Sequence, residues 1–217
     1  MLDREKDFMA RPRGRMALTT FGFIRHGITD WNIERRAQGQ TDVPLNEEGI
    51  RQAKQLATRL AAEDWDYLYS SDLSRARLTA EFIAKARSRE VDGYDLRLRE
   101  KTHGRLDGTT AEDRVELWGK GWADLDHNEE STESVIARSL DFLQEMSIKH
   151  PNKKVLIISH GAWIARTLEH LLQVTELPHL DNTSISVLEK GMDGWSCRLI
   201  ACTSHLDLAI AQEIMDA

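Results

Sequence analysis

With 217 residues, 41% apolar and 30% charged, the chain is long enough for one domain of about 200 residues with a sizeable core, and it is not disordered, collagen-like or membrane-spanning. There are 29 basic against 36 acidic residues, a formal net charge of −7 that disfavours non-specific binding to nucleic acid or anionic lipid. Apolar runs such as Val155–Ile158 are far too short to cross a bilayer, so neither nucleic acid nor membrane is expected as a partner.

Residues 1–16 alternate charges and lack the apolar centre of a secretory signal, so they read as a solvated extension, with Met16 an alternative start. The domain is expected over 17–203, followed by a tail at 204–217. Leu18–Ile24 is β-branched and aromatic and reads as a strand that runs into Arg25-His26-Gly27. Asn46-Glu47-Glu48 supplies a cap and an acidic first turn for a helix with Ile50, Ala53, Ala57 and Leu60 on one face. Trp65–Tyr69 reads as a short strand that ends in Ser70-Ser71-Asp72. A helix bearing Leu73, Ala76, Ala80 and Ile83 follows to about Ala86, with Ser70 and Asp72 expected to set its turn and cap. Tyr94–Leu98 alternates like a strand, with Glu100 just beyond it and Gly104 and Gly108 marking a loop.

Val135, Ser139, Phe142 and Met146 line a helix that starts near Ser131 and stops at His150-Pro151-Asn152. Val155–Ile158 is a continuous apolar run, the mark of a parallel strand buried on both faces, and it empties into Ser159-His160-Gly161. A helix with Ile164, Leu168, Leu171 and Leu172 follows, then strands at Ser184–Glu189 and Trp195–Ala201. Cys197 and Cys202, an odd separation apart on one strand, point to opposite faces and do not pair, as suits a reducing cytoplasm. The alternation of strands and helices predicts an α/β fold, a mostly parallel central sheet covered by helices on both faces.

Open α/β sheets bind ligands beyond the carboxyl ends of their strands. Here such ends carry Arg25-His26-Gly27, Ser70-Ser71-Asp72 with Arg75 close behind, and Ser159-His160-Gly161, with Glu100 as a candidate acid. Arginine forks match phosphate oxygens, imidazole N–H adds a donor, and glycine lets backbone approach. Read singly, each is ordinary: a surface Arg-His pair, a solvated helix arginine, a surface carboxylate. Their recurrence after successive buried strands is what points to a phosphate site.

The run Phe23-Ile24-Arg25-His26-Gly27-Ile28-Thr29-Asp30-Trp31-Asn32 resembles the signature of the histidine phosphatase superfamily, which includes the cofactor-dependent phosphoglycerate mutases. Further similar stretches follow in order: Gln38-Gly39 with Asp42, Pro44–Gly49, Ser70–Ala76 with Thr79-Ala80, Leu98-Arg99-Glu100 with Gly104 and Gly108, Ser159-His160-Gly161 and Asn182-Thr183-Ser184. The resemblance spans about Thr20 to Ala201. It implies a three-layer α/β/α sandwich and a cytoplasmic, metal-independent enzyme without a cofactor, in which His26 becomes phosphohistidine. Arg25, Arg75 and His160 would surround the phosphoryl group, with Glu100 the proton donor to the leaving oxygen. Asn32, Gln38, Gly39, His103 and Gly161 would contact the substrate. His127, His150, His170, His179 and His205 lack metal-ligand spacing and read as structural.

Two departures bear on the leaving-group side: His103 stands before the first glycine where many relatives carry an aromatic residue, and Asp107 before the second where they carry glutamate. Trp118, Trp122 and Trp163 either shape that side or pack. The expected function is hydrolysis of a small phosphorylated metabolite. The alternatives are a phosphoglycerate mutase or a non-catalytic phospho-ligand binder of the same fold. Mutases carry a longer insertion between proton donor and second histidine; here 60 positions separate Glu100 from His160, and Glu112, Asp113, Glu116, Asp124, Asp126, Glu129 and Glu130 make the interval acidic. The substrate within the phosphoester class and the oligomeric state, monomer or homodimer, stay open at this level.

Overall fold

The computed structural model describes residues 18–207. The expected extension at 1–16 lies outside the described residues, as does the tail beyond 207. Six strands form one sheet, β1 (Thr19–Arg25), β2 (Tyr67–Ser70), β3 (Gly93–Tyr94), β4 (Lys154–Ser159), β5 (Ile185–Gly191) and β6 (Gly194–Cys202), in the order β3-β2-β4-β1-β5-β6. The pairs β3/β2, β2/β4 and β4/β1 are parallel, whereas β5 and β6 join antiparallel.

β4 is third in that order, beside the centre line and between two parallel neighbours, and alternates its apolar residues between two cores. Val155 and Ile157, with Phe21 and Phe23 of β1, face α5 (Thr132–Lys149) and α6 (Gly161–Leu172), where Phe142, Leu143, Trp163 and Leu168 complete the layer. Leu156 and Ile158, with Ile24, face α2 (Glu47–Ala61) and α3 (Ser74–Ala86), against Leu56, Leu60, Ala76, Ala80 and Ile83. The result is the three-layer α/β/α sandwich expected from the alternation. Asn46 caps α2 as read from sequence, its side chain accepting from Gly49 N at 2.8 Å.

The strand expected at Tyr94–Leu98 is corrected: only Gly93–Tyr94 pairs, and Leu96–Leu98 is a 3₁₀ turn. The cause is local. Asp95 accepts from Arg97 N at 2.8 Å and takes the Arg97 guanidinium as well, a competing bond that turns the chain out of the ladder. The cap expected from Asp72 is also absent. Asp72 instead pairs with Arg99 (Nε–Oδ1 2.8 Å), and the first amide of α3, Ser74 N, is taken at 2.7 Å by Asp42 from a distant loop. Ser70 does hold the turn, donating to Ser71 O at 2.9 Å.

Two helices lie where no element is read from sequence: α1 (Asp30–Ile33) and α4 (Ala111–Trp118). Both start in capping boxes, Thr29 with Asn32 and Thr110 with Asp113. Residues 204–207 form a helical turn that buries His205, so the packed chain continues past 203. Cys197 and Cys202 are both free.

Candidate active site

The carboxyl ends of β1, β4 and β2 are level, because Arg25 pairs with Ser159 and Ser70 with Ile158 in the parallel register. Main-chain bonds carry that register one residue further: His26 N donates to Ser159 O at 3.0 Å and Ser71 N to Ile158 O at 2.9 Å. His26, His160 and the start of α3 therefore emerge at one edge of the sheet.

His26 is buried, with its ring centroid 5.1 Å from that of His160. Its Nδ1 lies 2.7 Å from Gly27 O. A carbonyl only accepts, so Nδ1 carries the proton and Nε2 keeps its lone pair. Burial first, then the Arg75 and Arg25 guanidiniums, hold His26 well below the ordinary imidazole range, which keeps the ring neutral at pH 7. Gly27 N donates to Thr79 Oγ1 at 3.1 Å, and that hydroxyl donates to Arg75 O at 2.8 Å, tying the His26 turn to α3. His160 is also held well below its ordinary range by burial, Arg75 and His26; its Nε2 meets Ser71 Oγ at 2.9 Å.

Arg75 is fully buried on the first turn of α3, and its two terminal nitrogens donate to Thr41 O and Gly39 O, each at 2.8 Å. Burial pulls this guanidinium down to about 10, still protonated at neutral pH. Arg25 donates from Nη1 to Leu180 O at 2.7 Å. Three buried nitrogens, Arg25 Nε, Arg75 Nε and His160 Nδ1, have no hydrogen-bond partner. Buried polar atoms left unpaired are costly, and two guanidinium donors beside an unpartnered imidazole nitrogen fit an anion with several oxygens.

Glu100 reaches the cluster although its strand is missing. Arg138 Nη1 grips Arg97 O and Arg99 O at 2.7 and 2.6 Å, and Ser159 Oγ donates to Leu98 O at 2.7 Å, so the 97–100 backbone is fastened to the sheet edge. Its carboxylate accepts from Ala162 N at 3.1 Å and Trp163 N at 2.9 Å, the free amides of α6, and from Lys101 N at 2.8 Å. Gly161, the first residue of α6, lies against Arg25: a Cβ there would stand in ordinary contact, 3.4 Å from Arg25 Nε. The anion at the start of α6 is thus the protein's own carboxylate.

Asn32 Oδ1 accepts from Thr29 N at 3.1 Å, and Asn182 Nδ2 donates to it at 3.3 Å, so its amide is oriented with Nδ2 left over. Gln38 is buried with Oε1 unpaired. Gly39 needs its glycine twice over: φ is +47°, and a Cβ would fall 2.0 Å from Asp107 Oδ1. Asp107 in turn accepts from His103 N and Thr102 Oγ1, both at 3.0 Å. His103 Nδ1 pairs with Glu129 at 3.2 Å, a carboxylate shared with Lys101. Trp163 is core, packed 6.3 Å from Phe23 with Nε1 on Arg97 O at 2.8 Å. Trp118 and Trp122 instead flank His127 at 4.9 and 6.2 Å, under Arg105 and Arg114.

The structural reading of the other histidines holds where bonds define it: His150 stacks on Tyr67 and meets Tyr69 Oη at 2.8 Å, and His127 donates from Nε2 to Trp122 O at 2.6 Å. Ser71, Thr79, Asn182 and Thr183 are the contributors that sequence reasoning gave no role, although Thr79 and Asn182-Thr183 lie in the stretches that carry the resemblance. Among the described residues there is no cluster of three metal-ligating side chains, and no helix is long and apolar enough to cross a membrane.

Residues 21–203 match the family model of the histidine phosphatase superfamily, branch 1. The chain is 32% identical over 195 residues to an uncharacterised phosphatase, PhoE, of Bacillus subtilis, covering 87% of this chain and 97% of that one. It is 33% identical over 208 residues to a probable phosphoglycerate mutase, GpmB, of Cronobacter sakazakii, with coverage of 88% and 96%. A phosphoserine phosphatase mutant of Entamoeba histolytica, solved in complex with phosphoserine, superposes with a TM-score of 0.72 at 28% identity, over 87% of this chain and 99% of that one. The chain belongs to the histidine phosphatase superfamily.

Proposed function

We propose that this protein hydrolyses a small phosphomonoester through a phosphohistidine at His26. The observation that carries the reading is the His26 ring, proton on Nδ1 and Nε2 free, set beside two buried guanidinium N–H groups and a buried imidazole nitrogen without partners.

In the first step the Nε2 lone pair attacks phosphorus, the N–P bond forms, and the ester P–O bond breaks. Arg25, Arg75 and His160 donate to the equatorial oxygens, where charge spreads in the transition state. Glu100 gives a proton to the leaving oxygen, which departs as the alcohol. In the second step water attacks phosphorus, its proton passes to the Glu100 carboxylate, and the N–P bond breaks to return Nε2 and inorganic phosphate. Asn32, Gln38, Gly39 and Gly161 line the approach. The charge work rests on side chains, so no step calls for a metal.

Hydrolysis is favoured over mutase chemistry by the interval between Glu100 and His160. Its acids are organised for structure rather than for a second phosphate: Asp113 pairs with Arg36, Glu129 with Lys101, Glu130 with Arg138. Rapid quenching with radiolabelled ester is expected to trap an acid-labile, base-resistant adduct that His26→Ala lacks, with p-nitrophenyl phosphate turnover lost in the same variant. Turnover that survives His26→Ala overturns the reading. Isomerisation of a phosphoglycerate faster than its hydrolysis, with bisphosphoglycerate added, selects the mutase instead.

A further inference from the structure

We infer that His205 is a positioning residue for the reaction, acting through Thr183 on the backbone that carries Arg25 and His26. The inference rests on the proposed role of His26 as nucleophile. His205 stands two residues beyond the stretch that matches the family, on the helical turn 204–207, and is almost fully buried.

Thr183 is the key contact. Its φ is +60°, a left-handed conformation that is a strained choice for a β-branched residue and that persists only where surroundings enforce it. In that conformation its N–H reaches two carbonyls at once, Arg25 O at 3.0 Å and His26 O at 3.3 Å. The preceding residue adds a second hold, Asn182 Nδ2 donating to His26 O at 3.0 Å and to Asn32 Oδ1 at 3.3 Å. The peptide that follows the His26 ring is therefore clamped from the 182–183 corner.

The clamp is fixed by one side chain. Thr183 Oγ1 spends its proton on Asn182 O at 2.7 Å, so at its 3.1 Å contact with His205 Nε2 it accepts, and His205 is the donor. His205 Nδ1 is buried with no partner, which leaves Nε2–H···Oγ1 as the bond that sets the tautomer. Burial, with Arg59 beside it and Asp207 and Glu63 opposing, lowers His205 to about 4, so the ring is neutral at physiological pH. Arg59 is occupied by Glu63, Cys202 and Ser204 on the same turn. A C-terminal turn thus buttresses a strained corner whose two amides fix the strand end that presents the nucleophile.

His205→Ala is expected to lower kcat about tenfold with KM within twofold, while His205→Gln, whose amide nitrogen can donate to Thr183, restores most of it. Thr183→Val should reproduce the His205→Ala loss, and the double variant should be no worse than either alone. The ¹⁵N resonances of the His26 ring give the readout that a packing role would not move: a single Nδ1-protonated tautomer in the wild type and a mixture in His205→Ala. Unchanged kcat in folded His205→Ala, additive losses in the double variant, or an unchanged His26 signature overturns the inference. Trapping in the wild type keeps the two readings apart. A missing adduct during turnover sinks the nucleophile assignment, and the His26 resonances still decide whether His205 positions the ring.

Discussion

Arg75→Lys separates a cationic cage from a merely positive surface, because the guanidinium performs two tasks at once. Its terminal nitrogens hold Gly39 O and Thr41 O, and its Nε is a free donor in the cluster. A lysine keeps the charge but has one nitrogen, one bond short of the reach of the guanidinium's terminal nitrogens, so at least one buried carbonyl loses its partner. Charged hydrogen bonds are worth about 1.5–3 kcal/mol each and an orphaned buried acceptor costs about 1–3 kcal/mol, which puts the destabilisation near ~3 kcal/mol. For a domain of this size that is a fall of roughly 6–12 °C in Tm. Loss of one donor to the transition-state oxygens adds about 10²–10³-fold in kcat. The burial that lowers the arginine would also lower a lysine below its usual ~10.4. The variant should therefore lose its residual activity on the basic side, where the wild type does not. Phosphate release from p-nitrophenyl phosphate across pH 6–9, beside thermal melts followed by circular dichroism, reads all three effects. If Arg75→Lys keeps more than a tenth of kcat with no new basic limb, the guanidinium geometry is not what the site uses.

Stability should fall with acid well before the carboxylates titrate. His26 and His160 sit far below the ordinary 6.5 and His205 near 4, so the unfolded chain binds protons that the native one refuses. Their contribution is complete above about pH 6.5 and is lost on acidification toward 4 at up to ~1.4 kcal/mol per pH unit per ring, measurable in urea melts; a flat profile would refute it. Gly39→Ala combines a left-handed φ with a Cβ placed on Asp107, and Asp107 holds the Thr102 hydroxyl and the His103 amide. It should cost about 1–3 kcal/mol in chemical melts and raise KM more than it lowers kcat. Orthovanadate or inorganic phosphate at 100 times its Kd should stabilise the wild type by about 2.7 kcal/mol, and Arg75→Met should show less than half that gain at the same concentration.

How far the sequence could be read depends on what carries each signal. β4 announces itself because four consecutive apolar residues can be buried only by cores on both faces, and both cores are there. The polar triplets after β1 and β4 are legible for the same reason, since the contrast with the buried run marks where the sheet ends. The sequence sets Glu100 after a strand that in the structure is a 3₁₀ turn, yet it arrives, because Arg138 and Ser159 hold main-chain carbonyls around it. Those holds were invisible: every residue owns a carbonyl, so its use leaves no trace in residue identity. The same applies to the Gly39 and Thr41 oxygens under Arg75. His205 failed differently, since a lone buried histidine near a chain end has no spacing to set it apart from packing.

The carbonyls also explain how an acidic chain keeps a cationic site. Arg97 is saturated by Asp95, Asp141 and Glu145, and Arg99 by Asp72; each carboxylate fixes its arginine and cancels its charge together. Arg25 and Arg75 are fixed as firmly, but on Leu180 O, Thr41 O and Gly39 O. A carbonyl dipole orients a guanidinium without neutralising it, so the full charge remains for an incoming anion. Glu100, the carboxylate whose field both arginines feel, is kept off them by the amides of α6, which take its oxygens instead. Had Glu100 bridged to Arg25 or Arg75, the substrate would have to break an ion pair before it could bind. Parking the acid on a helix start leaves two unspent cations facing a neutral imidazole.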